Sequence, residues 1–232
     1  MKTFINVLIC LQLIIFIGCA SKRKGFNRGA LQNSMNQVVV TDKNIEQTLH
    51  LKPQLPKKFK LGVYFSQLRK TGYSGPYLRW TPEDKESFED LEKELLETGR
   101  VSKVVLINDA TVTEPNLKSV RLAAAQHGLD AVMIISGAYQ FNMYPNYYAW
   151  SYLAVAPAFF VNGNVSESIV INRATMWDVR NQYLYMTAET EELNIKTHPA
   201  LIRDSKKMAT ETKRQAIGNL KAEIKKQFSE ML

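Results

Sequence analysis

Histidines are the residues of this chain whose chemistry best suits proton transfer or metal binding near neutral pH. There are three, His50, His127 and His198, and no two stand at a spacing typical of metal ligands. His127 comes at the end of a predicted helix, where the helix dipole explains a histidine without catalysis. The sequence has neither a glycine-rich phosphate loop nor a Gly-x-Ser-x-Gly elbow. We therefore expect that the chain is not an enzyme and binds no metal and no cofactor.

Carboxylates are the other groups that could form an acid/base pair. They are concentrated between Glu83 and Glu94, in a stretch that is predicted to be a helix. There the acids alternate with lysines on the predicted solvent side, which is typical of a solvated helix face. Asp130 follows Gly128 where a strand is predicted to begin, and we expect it to have a role in the turn.

The balance of charges limits the class of partner. A formal net charge of +8 suits an anionic partner such as a lipid surface or a nucleic acid. Single-stranded nucleic acids bind where basic and aromatic side chains are interleaved. Here the basic residues concentrate in 22–28, 52–60 and 203–226, whereas the aromatic residues of 139–160 have no Lys or Arg among them. We therefore expect no nucleic-acid partner.

The N-terminus has the layout of a secretory signal. Lys2 is a short basic region, Phe4–Ile17 is an apolar run too short to span a bilayer, and the small residue Gly18 precedes Cys19. The sequence from residue 16 to Cys19 resembles the lipobox of bacterial lipoproteins, in which the cysteine is acylated and becomes the new N-terminus. The alternative is an uncleaved anchor helix with a chance cysteine. We expect residues 1–18 to be a lipoprotein signal peptide and Cys19 to be the lipidation site.

Acylation of Cys19 would attach the chain stably to a membrane, because two or more acyl chains bind far more firmly than one. Residues 19–57 are then expected to be a flexible, basic tether that lies near anionic headgroups. Its one strong apolar cluster, 38–40, could form a short strand that docks on the domain. After cleavage Cys19 would be the only cysteine left, so neither a disulfide nor a zinc site built from cysteines can form.

Downstream of the tether the hydrophobic pattern alternates between strands and helices. Thr81 followed by Pro82 is typical of a helix start, and Gly99 of a helix end. The predicted elements, in chain order, are a strand at 59–65, a helix from 82, a strand at 101–107, a helix at 116–127, a strand at 131–137, a hairpin of 168–179 and 182–188, and a long helix at 201–232. This order predicts an α/β fold with a mixed sheet: a β-α-β-α-β unit, an antiparallel hairpin, and a long C-terminal helix packed on the sheet. Residues 58–232 would form one domain with an aromatic-rich insertion at 141–164.

The insertion contains the segment 141–160, which has eight aromatic residues and no charge. Its apolar core is interrupted by Pro157 and is too short for a transmembrane helix, which needs about 20 residues. One interpretation is that Leu153, Val155, Phe159 and Phe160 cover the sheet. The other is an exposed patch for a partner or for the bilayer surface, because Tyr and Trp rings suit sites where one end stays wet. The candidate contact residues are Tyr144, Tyr147, Tyr148, Trp150 and Tyr152.

Several segments together resemble the rhombotarget lipoproteins, a bacterial family without an established activity. They are LPKKFKLGVYF (55–65), TPEDKESFEDLEKEL (81–95), GLDAVMIIS (128–136), YAWSYLAVAPAFFVNGN (148–164), ATMWDVRNQYLYMTA (174–188) and the Lys-rich final helix. The element order is more distantly similar to periplasmic α/β lipoproteins of the curli-secretion type and to the N-terminal domain of the Tol-system propeller protein. The resemblance implies an envelope-facing α/β domain without catalysis, and it transfers no functional residues.

Three functions are compatible with these observations. The first is a non-catalytic, lipid-anchored binding or scaffold protein of the bacterial cell envelope, held to the membrane through Cys19 and serving an envelope protein partner. The second is a subunit of an oligomeric envelope assembly, such as a homo-oligomer, that uses 141–160 as its contact or membrane-insertion element. The third is an enzyme with an unrecognised site. The residue after Cys19 is Ala20 and not an Asp, which favours the outer membrane facing the periplasm if sorting resembles that of enteric bacteria.

Overall fold

The computed structural model describes residues 26–35, 42–72, 75–201 and 204–231, and the statements below concern those residues. The expected signal peptide at 1–18, the lipidation site Cys19 and the apolar cluster at 38–40 lie outside the described residues.

A five-stranded mixed sheet forms the centre of the molecule. Its strands are β1 (Phe59–Thr71), β2 (Val101–Ile107), β3 (Ala131–Pro145), β4 (Asn164–Asp178) and β5 (Leu184–His198). The strand order is β2-β1-β3-β4-β5. Strand β1 is parallel to both β2 and β3, whereas β3, β4 and β5 form an antiparallel meander. The parallel part comes from the β-α-β-α-β unit and the antiparallel part from the hairpin, so the predicted α/β fold with a mixed sheet is confirmed.

Helices cover both faces of this sheet. Those described are α1 (Arg28–Met35), α2 (Asp42–Leu49), α3 (Pro82–Glu86), α4 (Glu89–Glu97), α5 (Leu117–Gln126), α6 (Pro157–Phe160) and α7 (Ser205–Glu230). Helices α4 and α7 bury Leu91, Leu220 and Phe228 against Met133 and other residues of one face. Because side chains alternate along a strand, the next residue, Val132, lies on the opposite face, where it packs with residues of α5.

The strands are longer than the hydrophobic pattern predicted. Strand β1 continues past Phe65 through polar residues that pair with β3, after a register shift between Phe65 and Leu68. It ends where Thr71 pairs with Gln140, but β3 goes on to pair with β4 as far as Pro145. Strands β3, β4 and β5 therefore project beyond β1 by five residues of β3, which is about 17 Å.

The segment 19–57, which was expected to be a flexible tether, contains an ordered part that docks on the sheet. Leu31 of α1 is fully buried against Ala138, Ile169 and Ile171. At the start of α1, the Arg28 guanidinium pairs with a carboxylate of β5 at 2.7 Å. Expected disorder is therefore wrong for α1, because one buried leucine and an ion pair fix it on the sheet.

The predicted single helix from residue 82 is interrupted. Helix α3 starts with the predicted Thr81 cap in a full capping box, with Pro82 as its first residue. The helix is then interrupted at Phe88, which is buried and packs edge-on against the ring of Phe65, with the ring centroids 5.2 Å apart. Helix α4 follows and ends before Gly99, whose positive φ of 70° terminates the helix as predicted.

Candidate contact site

The connection between β3 and β4 forms a compact projection at the end of the three-stranded extension. We call residues 146–163 the aromatic tip. The tip contains a 3-10 helix, Tyr147–Leu153, followed by α6. Asn146 begins the 3-10 helix, because its side-chain oxygen accepts from the backbone N–H of Tyr148 at 2.8 Å.

The two ends of the aromatic tip are joined at its base. The Asn146 amide nitrogen donates to the carbonyl of Asn162 at 2.7 Å, and the Asn146 backbone N–H donates to the carbonyl of Gly163 at 2.7 Å. The hydroxyl of Tyr152 accepts from the backbone N–H of Gly163 at 2.7 Å and donates to the carbonyl of Val161 at 2.8 Å. The tip is therefore a closed loop with its own internal polar frame.

The outer surface of the aromatic tip is apolar and exposed. Three of the candidate contact residues are largely accessible to solvent: Tyr147 is 83% exposed, Tyr148 62% and Trp150 62%. Tyr147 and Tyr148 pack edge to face with ring centroids 5.9 Å apart. No charged residue occurs between 131 and 166, so no charge of β3, of the tip or of the start of β4 interrupts this surface.

Tyr144 and Tyr152, the other two candidate contact residues, are half-buried. The Tyr144 hydroxyl donates to a carboxylate oxygen of Glu167 at 2.6 Å, across the β3–β4 pair. The Tyr152 hydroxyl closes the base of the tip. Both residues therefore build the projection, whereas Tyr147, Tyr148 and Trp150 form its outer surface.

The interpretation in which the aliphatic end of the segment covers the sheet is wrong. Leu153 is 86% exposed, Val155 75%, Phe159 49% and Phe160 82%. The β3–β4–β5 meander is partly covered by other elements, because α1 packs on one face and the start of α7 on the other, while Leu193 and Ile195 of β5 remain exposed. These four side chains therefore join the exposed surface of the aromatic tip instead of the core.

The first turn of α7 lies next to the aromatic tip. Leu201, four residues before α7, donates its backbone N–H to the carbonyl of Ala158 in the tip at 3.4 Å. Met208 of α7 packs against Phe141, near the end of β3 that leads into the tip. Lys207 lines a pocket with Met143, Ser166 and His198 near the base of the tip, whereas Lys206 lines the cavity between residues 77–87 and α7.

Ser166 and His198 form a polar pair that the sequence pattern did not indicate. The Ser166 hydroxyl is 2.7 Å from Nε2 of His198, and Nδ1 of the same ring is 2.9 Å from the carbonyl of Pro199. Because a carbonyl only accepts, Nδ1 carries the proton and Nε2 accepts from Ser166 when the ring is neutral. This is the geometry of a nucleophile and its base, but Ser166 is only 3% exposed and the orienting group is a carbonyl in place of a carboxylate. No sequence signal connects two residues on separate strands in this way.

A second buried network closes the opposite end of the β4–β5 pair. Asp178 is fully buried, and its carboxylate accepts from the backbone N–H of Arg180 and from the Tyr185 hydroxyl, each at 2.7 Å. The Tyr185 hydroxyl in turn accepts from the backbone N–H groups of Gln54 and Leu55 at 2.8 and 3.1 Å. Burial first, and then the bond to Asp178, raise the pKa of Tyr185 to about 12. The network fastens residues 54–55 to the domain.

Asp130 has the structural role that its position predicted. Its carboxylate accepts from the backbone N–H of Lys60 at 2.9 Å and pairs with Arg180 at 2.6 Å. It therefore joins the start of β1 to the β4–β5 turn, and Gly128 before it has the expected positive φ of 66°.

A cavity of about 850 Å³ lies between residues 77–87 and α7. It is lined by several cations, but the most buried of them, Lys213, already pairs with Asp84 and donates to the carbonyl of Arg79 at 3.0 Å. Lys221 likewise donates to the carbonyl of Ser87 at 2.6 Å. These cations connect α7 to the 77–87 segment, so the cavity is a space between two packed elements whose charges are already used in contacts.

Metal binding and membrane spanning are the two remaining possibilities for the described ranges. Within them, no three His, Cys, Asp or Glu side chains are grouped closely enough to hold a metal ion. None of the helices that the structure describes is both long enough and apolar enough to cross a membrane.

The fold and the tip define a mixed α/β sheet domain with an exposed aromatic projection. No family model matches the chain, and no curated protein matches it either. Among solved structures, a putative neuraminyllactose-binding hemagglutinin homolog from Helicobacter pylori is 12% identical, with 78% of this chain and 92% of that chain covered and a TM-score of 0.40. A protein from Xanthomonas campestris is 11% identical over 78% and 94%, with a TM-score of 0.34. The lipoprotein GNA1162 from Neisseria meningitidis is 11% identical over 68% and 99%, with a TM-score of 0.30. The similar structures thus include a bacterial lipoprotein, and at such low similarity no function is transferred from them.

Proposed function

We propose that this chain is a non-catalytic, lipid-anchored scaffold or binding protein of the bacterial cell envelope, held in the outer membrane and facing the periplasm. The observation that carries the proposal is the aromatic tip, which presents exposed rings and no charge on a closed loop. Contiguous exposed apolar surface of this kind is typical of a site that contacts a partner or a membrane. The resemblance to the rhombotarget lipoproteins and the lipobox-like sequence ending at Cys19 support the envelope location.

The absence of catalysis is part of the proposal. The Ser166–His198 pair is the arrangement that comes nearest to a catalytic site among the described residues, and its serine is buried in a strand beside the start of α7. A serine-reactive fluorophosphonate is therefore expected to leave the native protein unlabelled. Labelling of the native protein that disappears in Ser166→Ala would refute the non-catalytic part.

The anchor is tested by membrane fractionation of the full chain in a Gram-negative host. The wild type is expected in the outer-membrane fraction, and Cys19→Ser is expected to lose the acyl chains and leave that fraction. A matched control is Cys10→Ser, because Cys10 lies inside the expected signal peptide and is not the acylation site. A wild type found soluble in the periplasm would refute lipid anchoring.

The alternative function is a subunit of an oligomeric envelope assembly that uses the same surface for contacts between copies. Size measurement of the detergent-solubilised chain distinguishes the two functions. We expect a monomer-sized particle whose size does not change in Trp150→Ser. A larger particle that dissociates in Trp150→Ser would favour the oligomeric assembly if it does not dissociate in the control Leu122→Ser, which changes an exposed residue of α5.

A further inference from the structure

We infer that the aromatic tip inserts into the interface of an anionic lipid bilayer, and that this is the same membrane that holds the acylated Cys19. The inference rests on the proposed lipid anchor and goes beyond it, because it names what the tip contacts and how the domain is oriented. Three independent features lead to it: the chemistry of the tip surface, the charge beside it, and the length of chain between the anchor and the domain.

The tip surface has the composition of a segment that lies at a membrane interface. Tyr147, Tyr148 and Trp150 are amphipathic rings, which are enriched where the hydrocarbon meets the headgroups. Leu153 and Phe160 beside them are each more than 80% exposed, and exposed aliphatic and phenyl groups gain free energy on leaving water. The surface is also convex, since it ends a narrow extension of three strands. A convex apolar end fits a deformable lipid surface and needs no matching groove.

A positive charge near the tip is complementary to anionic headgroups. Lys207 stands in the first turn of α7 and lines a pocket with Met143 and Ser166, near the base of the tip. It interacts electrostatically with Glu211 but forms no ion pair within the part of the chain that the structure describes. A lysine beside an apolar insertion attracts it to an anionic membrane surface.

The chain between Cys19 and the domain has the length that this orientation requires. The described chain begins at Phe26, and Arg28 pairs with Glu191 of β5 at the level of Ala138 in β3. From Ala138 to the base of the tip at Pro145, β3 runs seven residues, which is about 23 Å. The seven residues from Cys19 to Phe26 span at most about 25 Å when fully extended. Acyl chains on Cys19 and the aromatic tip can therefore enter one membrane surface together, with the extension standing upright on it.

The inference is tested on the full, lipidated chain reconstituted into vesicles of phosphatidylethanolamine and phosphatidylglycerol. Tyr148→Cys is labelled with an environment-sensitive NBD dye, which is selective because acylation occupies the thiol of Cys19. The matched control is Leu122→Cys on α5, a similarly exposed apolar position away from the tip. We expect the dye at residue 148 to shift to the blue and to be quenched by brominated lipids, and the dye at residue 122 to remain unchanged.

Two further arms identify the lipid chemistry and the alternatives. In vesicles of phosphatidylcholine alone we expect weaker quenching at residue 148, because the attraction by Lys207 is lost. Exchanging Trp150 for serine is expected to lower the equilibrium constant for insertion, determined from the quenching at residue 148, about tenfold, since each buried ring contributes on that order to partition. Equal quenching at residues 148 and 122, or none at either, in protein that still floats with the vesicles would overturn the inference and leave the lipid anchor intact. A blue shift that appears only when envelope proteins are added would assign the tip to a protein partner and would also overturn it.

Discussion

The hydroxyl of Tyr152 is predicted to hold the aromatic tip closed, and Tyr152→Phe removes only that group. In the native structure the hydroxyl accepts from the N–H of Gly163 at 2.7 Å and donates to the carbonyl of Val161 at 2.8 Å. A hydrogen bond of this kind contributes about 0.5–1.5 kcal/mol net. Gly163 also donates to Val161 at 2.9 Å, so neither backbone group loses its only partner in the variant. The expected loss is therefore moderate, about 1–2 kcal/mol for opening of the tip.

Amide hydrogen exchange at Gly163 measures this effect directly. A loss of 1–2 kcal/mol corresponds to exchange that is about 5–30 times faster if opening is local. The rest of the sheet is expected to keep its protection from exchange, because the tip lies beyond the part of β3 that pairs with β1. The control is Tyr148→Phe, because the Tyr148 hydroxyl has no hydrogen-bond partner among the described residues and its loss is expected to change nothing. Equal exchange at Gly163 in the wild type and in Tyr152→Phe would refute this account of the tip.

Gly163→Ala is a second test of the same frame, from the other side. A Cβ at residue 163 would stand 2.5 Å from the Tyr152 hydroxyl and 2.9 Å from Cα of Ala149. Real Cβ atoms do not approach other atoms this closely, so the tyrosine must leave its place or the loop must move. We expect the alanine variant to open the tip at least as much as Tyr152→Phe. A tip that stayed protected in the alanine variant would show that the ring can move at low cost.

Two other predictions concern the domain that carries the tip. Asp84→Asn leaves the ammonium of Lys213, which is 3% exposed, without its carboxylate. We expect the free energy of unfolding, measured with denaturant, to fall by about 3–5 kcal/mol and to recover in part when Lys213→Met is added. An unchanged denaturation midpoint would contradict a buried ion pair. Burial raises the pKa of Tyr64 and of Tyr185 to about 12, above the usual value of about 10 that applies when the chain is unfolded. The contribution of the neutral tyrosines to the free energy of unfolding is therefore complete below pH 10 and is lost as the pH rises towards 12. Tyr185→Phe is expected to weaken this loss, measured by urea unfolding at a series of pH values. A dependence of the free energy of unfolding on pH equal to that of the wild type would argue against a raised pKa of Tyr185 in the fold.

Local patterns in the sequence predicted the fold well where they reflect burial on one face or both. The alternation of Phe59–Phe65 and the apolar run of Ala131–Gly137 identified β1 and β3, and Gly99 and Gly128 correctly ended their helices. The extra length of β1 could not be predicted in this way. Its last residues are polar, and they are held in the sheet by backbone pairing with β3, which any residue with an N–H and a carbonyl can make.

Long-range contacts explain why the docking of α1 was also missed. The stretch that forms α1 contains few apolar residues, and its hydrophobic contact with the sheet depends chiefly on Leu31. The polar partners of Arg28 and Gln32 are Glu191 and Glu189, which lie more than 150 positions further along the chain. A pattern within a window of ten or twenty residues carries no information about such pairs.

The aromatic tip shows the limit of sequence reasoning at the candidate site. Composition alone identified a segment with many rings and no charge, but it left open whether those rings cover the sheet or face solvent. Whether apolar side chains are buried depends on contacts between distant parts of the chain, and here α1 and the start of α7 supply the apolar contacts on the two faces of the meander. Leu153 and Phe160 do not belong to these clusters and remain exposed. The same arrangement that completes the core thus leaves one apolar surface uncovered, at the end of an extension whose length matches the reach of the proposed anchor.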